Sequence, residues 1–178
     1  MKFANIPQMS LANYSVHHLL HMLPRTIRRY QEETLCPLNI NPDFQRAHVW
    51  TPEQKIRYME FILQGGTSAK DFYFNCCGWQ KSYDGPFELV DGKQRLDACL
   101  GFMSGTVPVF GGLYITDFTD KPFDVHLSFH INNLKTRTEV LRWYLDINSG
   151  GVVHTNDELD KVRELLEKER KNNGEKEN

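Results

Sequence analysis

The stretch Val90-Asp91-Gly92-Lys93-Gln94-Arg95-Leu96 constrains the fold of this chain more than any other. Phe87-Glu88-Leu89-Val90 leads into it with the character of a strand, and Gln94 to Met103 leads out with helical spacing. A strand that passes directly into a helix needs a tight bend, and Gly92 stands where that bend must fall. Such a turn aims backbone N–H groups and the positive end of a helix dipole at one spot. That spot suits a phosphate. Arg95 lies four residues after Asp91, so both reach the same side of the first helical turn. A local reading is also open: Asp91 as the N-cap of the helix, with Arg95 as its i,i+4 partner.

Two further segments bear on the choice. Asn41-Pro42-Asp43-Phe44-Gln45-Arg46-Ala47-His48-Val49-Trp50 precedes a helix opened by Thr51-Pro52-Glu53-Gln54. Asn148-Ser149-Gly150-Gly151 closes a later helix and is followed by Val152 to Glu158. In order and spacing the three segments resemble the DGQQR domain of the ParB/sulfiredoxin superfamily, as in GmrSD-type modification-dependent restriction enzymes. The matching residues are Pro42, Phe44, Gln45, Arg46, Val49 and Trp50, then Val90 through Leu96, then Ile147, Asn148, Gly150 and Gly151. The resemblance covers residues 10 to 165. Lys93 replaces the first Gln of the family motif and adds a cation beside the turn. Family nucleases carry a separate C-terminal HNH domain. No His-Asn-His arrangement is visible here, so the cutting part is expected to be missing.

The chain has 178 residues and a net charge of −2, which bounds the rest. One domain is the natural count, expected over residues 1–166, with a charged, disordered tail over 167–178. There is no global basic signature for nucleic acid. Arg25, Arg28 and Arg29 concentrate charge locally, and a solvated helix face accounts for them. No apolar run is long enough for a membrane span, and the N-terminus lacks a signal-peptide layout. Cys36, Cys76, Cys77 and Cys99 lack metal-site spacing, so reduced thiols in a cytoplasmic setting are expected.

Patterning predicts an α+β fold: a compact ParB/sulfiredoxin-like domain with a small mixed sheet and surrounding helices. Helices are expected over 15–23 (ended by Pro24), 25–34, 52–64, 94–103, 138–147 and 156–168. Strands are expected over 35–40, 71–77, 86–90, 106–110, 113–118 and 125–131, with a hairpin loop at 78–85. Phe44 and Trp50 read as core anchors. His126 and His130 share a strand face but lack a third ligand for a metal, and His154 reads as a capping or surface residue. Strict alternation puts Glu88 and Asp91 on opposite sides of their strand, which argues against a two-metal nuclease site.

The resemblance implies nucleoside triphosphate binding and hydrolysis with Mg²⁺, linked to restriction, anti-restriction or DNA modification, and the stand-alone size suggests a phage or mobile-element protein. Asp91, Gln94 and Arg95 are then the catalytic candidates, with Asp91 on the metal or the attacking water and Gln94 positioning that water. Gln45, Arg46, Gly92, Lys93, Asn148, Gly150 and Gly151 are the phosphate- or nucleotide-binding candidates. The expected partners are the nucleotide, DNA or a DNA-processing complex, and a second copy of the chain, with no membrane. Two rival readings use the same pocket: a non-catalytic nucleotide- or DNA-binding regulator or decoy of a larger restriction complex, and a phosphotransferase.

Overall fold

The computed structural model describes residues 12–45, 50–79, 81–120, 122, 124–149 and 156–172, apart from the side chains of 149 and 156–158. Five strands form one mixed sheet: β1 (Tyr14–Leu19), β2 (Leu38–Asn39), β3 (Asp71–Cys76), β4 (Phe87–Asp91) and β5 (His126–Asn132), in the order β1-β5-β3-β4-β2. β3 runs parallel to β5 and antiparallel to β4, β1 is antiparallel to β5, and β2 is parallel to β4. The helices are α1 (Leu23–Gln31), α2 (Pro52–Leu63), α3 (Lys93–Met103), α4 (Arg137–Ser149) and α5 (Asn156–Asn172). The fold is α+β, as expected.

Alternation along the strands separates two faces. Phe72, Phe74, Leu89, Leu127, Phe129 and Ile131 are buried on one face. They pack with Leu23 and Ile27 of α1, Met59 and Ile62 of α2, and Leu96, Cys99 and Phe102 of α3. On the other face Val90 and Phe44 pack with Val140, Leu141, Trp143 and Tyr144 of α4 and Val162 and Leu166 of α5. That second layer reaches Tyr73 of β3. Beyond it, toward β1, Ser15 and His17 are exposed and Ser128 and His130 are half-buried. One side of the sheet is therefore covered and the other stays partly open.

Several local expectations hold for visible reasons. α2 starts with a full capping box: Thr51 Oγ1 accepts from the Gln54 N–H, and Gln54 Oε1 accepts from the Thr51 N–H. Pro52 sits in its first turn, where no intrahelical donor is lost. β3 and β4 pair as the hairpin expected around the 78–85 loop. Phe44 is buried and Trp50 packs against the main core.

Other expectations are overturned. Residues 15–23 are not a helix. Tyr14–Leu19 is a strand, Leu20–Met22 is a 3₁₀ turn, and Pro24 opens α1 instead of ending its predecessor. Val16, Leu19, Leu20 and Leu23 fit helical spacing, but Tyr14, Val16 and His18 also alternate with exposed Ser15 and His17. The free edge of β5 decides for the strand, because pairing there satisfies the backbone of both segments. Residues 106–110 and 113–118 are not strands. Val109 and Leu113 form one isolated bridge around a turn with Phe110, Gly111 and Gly112 at positive φ, and Ile115–Asp117 is a 3₁₀ turn. α5 continues through Asn172, past the point where a charged tail was expected to begin, with Arg170 paired to Glu167 one turn back.

Phe129 is fully buried and its ring contacts those of Phe72, Phe74 and His18. Phe129→Ala is expected to cost about 3–5 kcal/mol by urea denaturation, from lost transfer energy and an unfilled cavity. A loss below about 1 kcal/mol would mean that the two layers are not packed as described.

Candidate functional site

The site is built where β4 ends and α3 begins. Asp91 is the last residue of β4, Gly92 is the N-cap of α3, and Lys93 is its first helical residue. Gly92 has φ +104°, a region that side chains other than glycine rarely adopt. A Cβ there would also stand 2.8 Å from Phe72 Cδ1. The bend is thus sharp and pressed against β3 at once. The N-cap of α3 is thus a glycine, which has no side chain to bond the first turn of the helix. The N-cap reading of Asp91 is therefore overturned, because the residue belongs to the strand.

Its i,i+4 pairing with Arg95 is confirmed. Arg95 Nη2 donates to Asp91 Oδ2 at 2.7 Å and to the Asp71 carbonyl at 3.1 Å. One guanidinium thus ties the end of β4 to the start of β3. Its plane lies over the Phe72 ring, 6.0 Å from the centroid. Arg95 Nε is buried without a partner among the described residues. The two side chains are only 23% and 27% exposed, so this pair is screened less than a surface pair.

Gln45 and Gln94 have a shared structural task. Gln45 Nε2 donates to the Leu89 carbonyl of β4 at 2.6 Å. Gln94 is buried, and its Oε1 accepts from the Trp50 N–H at 3.2 Å. The segment that carries the first motif is thus fastened at Gln45 to β4 and at Trp50 to α3. Asp43 adds an ion pair to Arg137 of α4, and Phe44 packs edge-on to Tyr144. Gln94, the residue expected to position a water, thus also holds the Trp50 backbone.

Lys93 is half-buried beside the turn. Burial lowers the pKa of its ammonium, and the nearby Asp97 carboxylate opposes that shift. Asp97 is itself paired with Lys55 of α2. Asn148 is buried in α4, where its Nδ2 donates to the Tyr144 carbonyl at 2.7 Å. That bond stays within its own helix. Arg46, Gly150 and Gly151 lie outside the described residues.

Alternation misjudged Glu88. Tyr73 pairs with Asp91 and Asn75 with Glu88, while Phe74 pairs with Leu89, so β4 carries an extra residue beside Tyr73. This bulge places Glu88 and Asp91 opposite two residues of one face. Burial raises the Glu88 pKa, with Arg137 opposing the shift. Among the described residues no three His, Cys, Asp or Glu gather to hold an ion. The cysteines are free thiols, with Cys76 and Cys99 pushed up to about 12 by burial.

The residues missed by sequence reasoning lie on the open sheet face. Asp71 Oδ1 meets His130 Nε2 at 2.7 Å, and Ser15 Oγ meets His130 Nδ1 at 2.8 Å. Tyr73 stacks on the His130 ring, with centroids 5.0 Å apart. The even spacing of His126 and His130 marked that face, but only strand pairing brings Asp71 and Ser15 to it.

Two substitutions check this account of the turn. Gly92→Ala is expected to destabilise the fold by about 2–4 kcal/mol, through positive-φ strain and the clash with Phe72. Gln94→Ala is expected to cost about 1–3 kcal/mol, because the Trp50 N–H loses its acceptor. Unchanged denaturation midpoints for both variants would refute the geometry.

A family model describing the N-terminal domain of the GmrSD restriction endonuclease matches residues 27–177. No curated protein and no solved structure matches the chain. Among the described residues no helix is long and apolar enough to cross a membrane. The family match spans all three motif segments and ties the chain to restriction: it belongs to the GmrSD N-terminal domain family.

Proposed function

We propose that this domain binds a nucleoside triphosphate at the Asp91–Arg95 turn and hydrolyses it slowly, in the service of a restriction system that acts on DNA. The observation that carries the reading is the sharp glycine bend that sets the N-terminus of α3 at the end of β4, with Arg95 and Lys93 in its first turn. Backbone N–H groups and the helix dipole receive phosphate oxygens there. Arg95 and Lys93 offset their charge, and Arg46, next in the chain after Gln45, is the third cation of the motif. Gln45 and Gln94 act by holding the motif segment against the turn. Gly150 and Gly151 belong to the proposed binding set through the family motif alone.

Mg²⁺ typically keeps several waters and is held by one or two carboxylates together with substrate phosphates. Asp91 supplies one carboxylate at the turn, and no acidic cluster supplements it among the described residues. That set fits an ion that arrives with the triphosphate and not a resident metal. When bound, the ion would neutralise charge on the phosphates. The chain's own part is positioning and charge stabilisation, which is most of what phosphoryl transfer asks of a protein.

One observation favours a second reading, binding without turnover. Asp91 is engaged by Arg95, and Gln94 by the Trp50 backbone, so both groups proposed to act on water already hold protein partners. The domain would then serve as a nucleotide-dependent regulator within a larger restriction complex.

ATP, GTP, CTP and UTP at millimolar concentration with Mg²⁺ separate the outcomes. At least one should raise the melting temperature, since a ligand that binds only the native state stabilises it. Arg95→Ala should remove the shift. Phosphate release, measured with and without DNA, should be abolished by Asp91→Ala in a folded protein. Binding without phosphate release would leave the regulator reading standing, and no thermal shift with any nucleotide would end both.

A further inference from the structure

Strand register sets the polar residues of the open face in two rows. Ser15 of β1 pairs with His130 of β5, His130 with Tyr73 of β3, and Tyr73 with Asp91 of β4. Directly paired residues share a face, so Ser15, His130, Tyr73 and Asp91 form one line across the sheet. A second line pairs His17 with Ser128 and Ser128 with Asp71. At about 4.8 Å per strand, the first line runs about 14 Å from the phosphate-handling turn to the edge strand. An extended nucleoside triphosphate has a comparable length.

The rows are joined by hydrogen bonds and lead back to the turn. Asp71 bridges them, its carboxylate on His130 and its carbonyl on Arg95, and Arg95 holds Asp91. Asp71 Oδ1 engages His130 Nε2 and Ser15 Oγ engages His130 Nδ1. The imidazole is thus held at both edges and stacked on Tyr73 at an interplanar angle of 24°. Ser128 Oγ and His17 Nδ1 meet at 3.1 Å in the second row. Tyr73 pairs with His130 on one side and Asp91 on the other, which places it between the two halves. Pinned rings beside hydroxyl and imidazole edges are what a planar, polar-edged nucleobase and its sugar would meet. The covering layer of α4 and α5 stops at Tyr73 and leaves these groups accessible.

We infer that the Ser15, His17, Tyr73, Ser128 and His130 face is the nucleoside-recognising half of a site whose phosphate-binding half is the Asp91–Arg95 turn. The inference rests on the proposed triphosphate binding and adds where the base and sugar lie.

Calorimetric titration of the full chain with inorganic tripolyphosphate and with each of the four nucleoside triphosphates, all with Mg²⁺, tests it. The preferred nucleotide should bind the wild type more tightly than tripolyphosphate. His130→Gln should weaken that nucleotide by about fivefold, and Ser15→Ala by a few-fold, with tripolyphosphate affinity unchanged in both, since each lost polar contact carries roughly 1 kcal/mol. The His130 ring resonances should shift with the nucleotide and not with tripolyphosphate; this readout needs no substitution and stands even if His130→Gln fails to fold. Equal wild-type affinity for the two ligand types, variants that weaken both alike, or variants that leave nucleotide binding untouched would each overturn the inference while triphosphate binding at the turn survives. Failure of every ligand to bind would remove the inference and the function it rests on together.

Discussion

The close approach of the Gly92 backbone to Phe72 is the constraint on which the rest of the structure depends. It lets β4 turn into α3 without a loop, with φ +104° at the bend and no room for a side chain. Because the bend is so short, α3 starts directly against β3, and Arg95 in its first turn reaches both Asp91 and the Asp71 carbonyl. A longer connection would carry Arg95 away from β3 and leave the strand ends unlinked. The same bend puts a glycine, which has no side chain to cap with, at the N-cap of α3.

The segment before α2 works as a strap over this turn. Asp43 reaches α4, Phe44 enters the second core, Gln45 bonds to β4, and Trp50 bonds to Gln94 of α3. Each contact is modest by itself, since one hydrogen bond contributes about 1 kcal/mol net. Together they make the first motif and the turn one mechanical unit. Gln45, a phosphate-binding candidate from the sequence, and Gln94, a catalytic one, are both fastenings of that unit.

Register is what joins the turn to the open face. The bulge in β4 opposite Tyr73 turns Asp91 toward the side that carries Tyr73, and parallel pairing of β3 with β5 then aligns Tyr73 with His130. A slip of one residue in β1 would bury Ser15 and His17 and expose Val16. The apolar face of β1 forbids that slip, so the placement of Ser15 beside His130 follows from burial on the opposite side of the strand.

The sequence by itself determined the pieces whose signals are local. The β4 to α3 passage, the capping box of α2, the β3–β4 hairpin and the alternation of β5 all depend on neighbours within a few residues. The i,i+4 pair of Asp91 and Arg95 was legible for the same reason, and so were the three motifs that carry family membership. Tertiary structure decided what depends on partners far along the chain. Tyr14–Leu19 satisfies two periodicities, and only the open edge of β5 selects the strand. Residues 106–118 have strand-like composition but find no sheet edge to join. Glu88 and Asp91 share a face because a bulge, invisible to alternation, adds one residue to β4. Ser15, Asp71 and His130 lie more than fifty positions apart in the chain, and only the pairing of β1 and β3 with β5 brings them within hydrogen-bond reach.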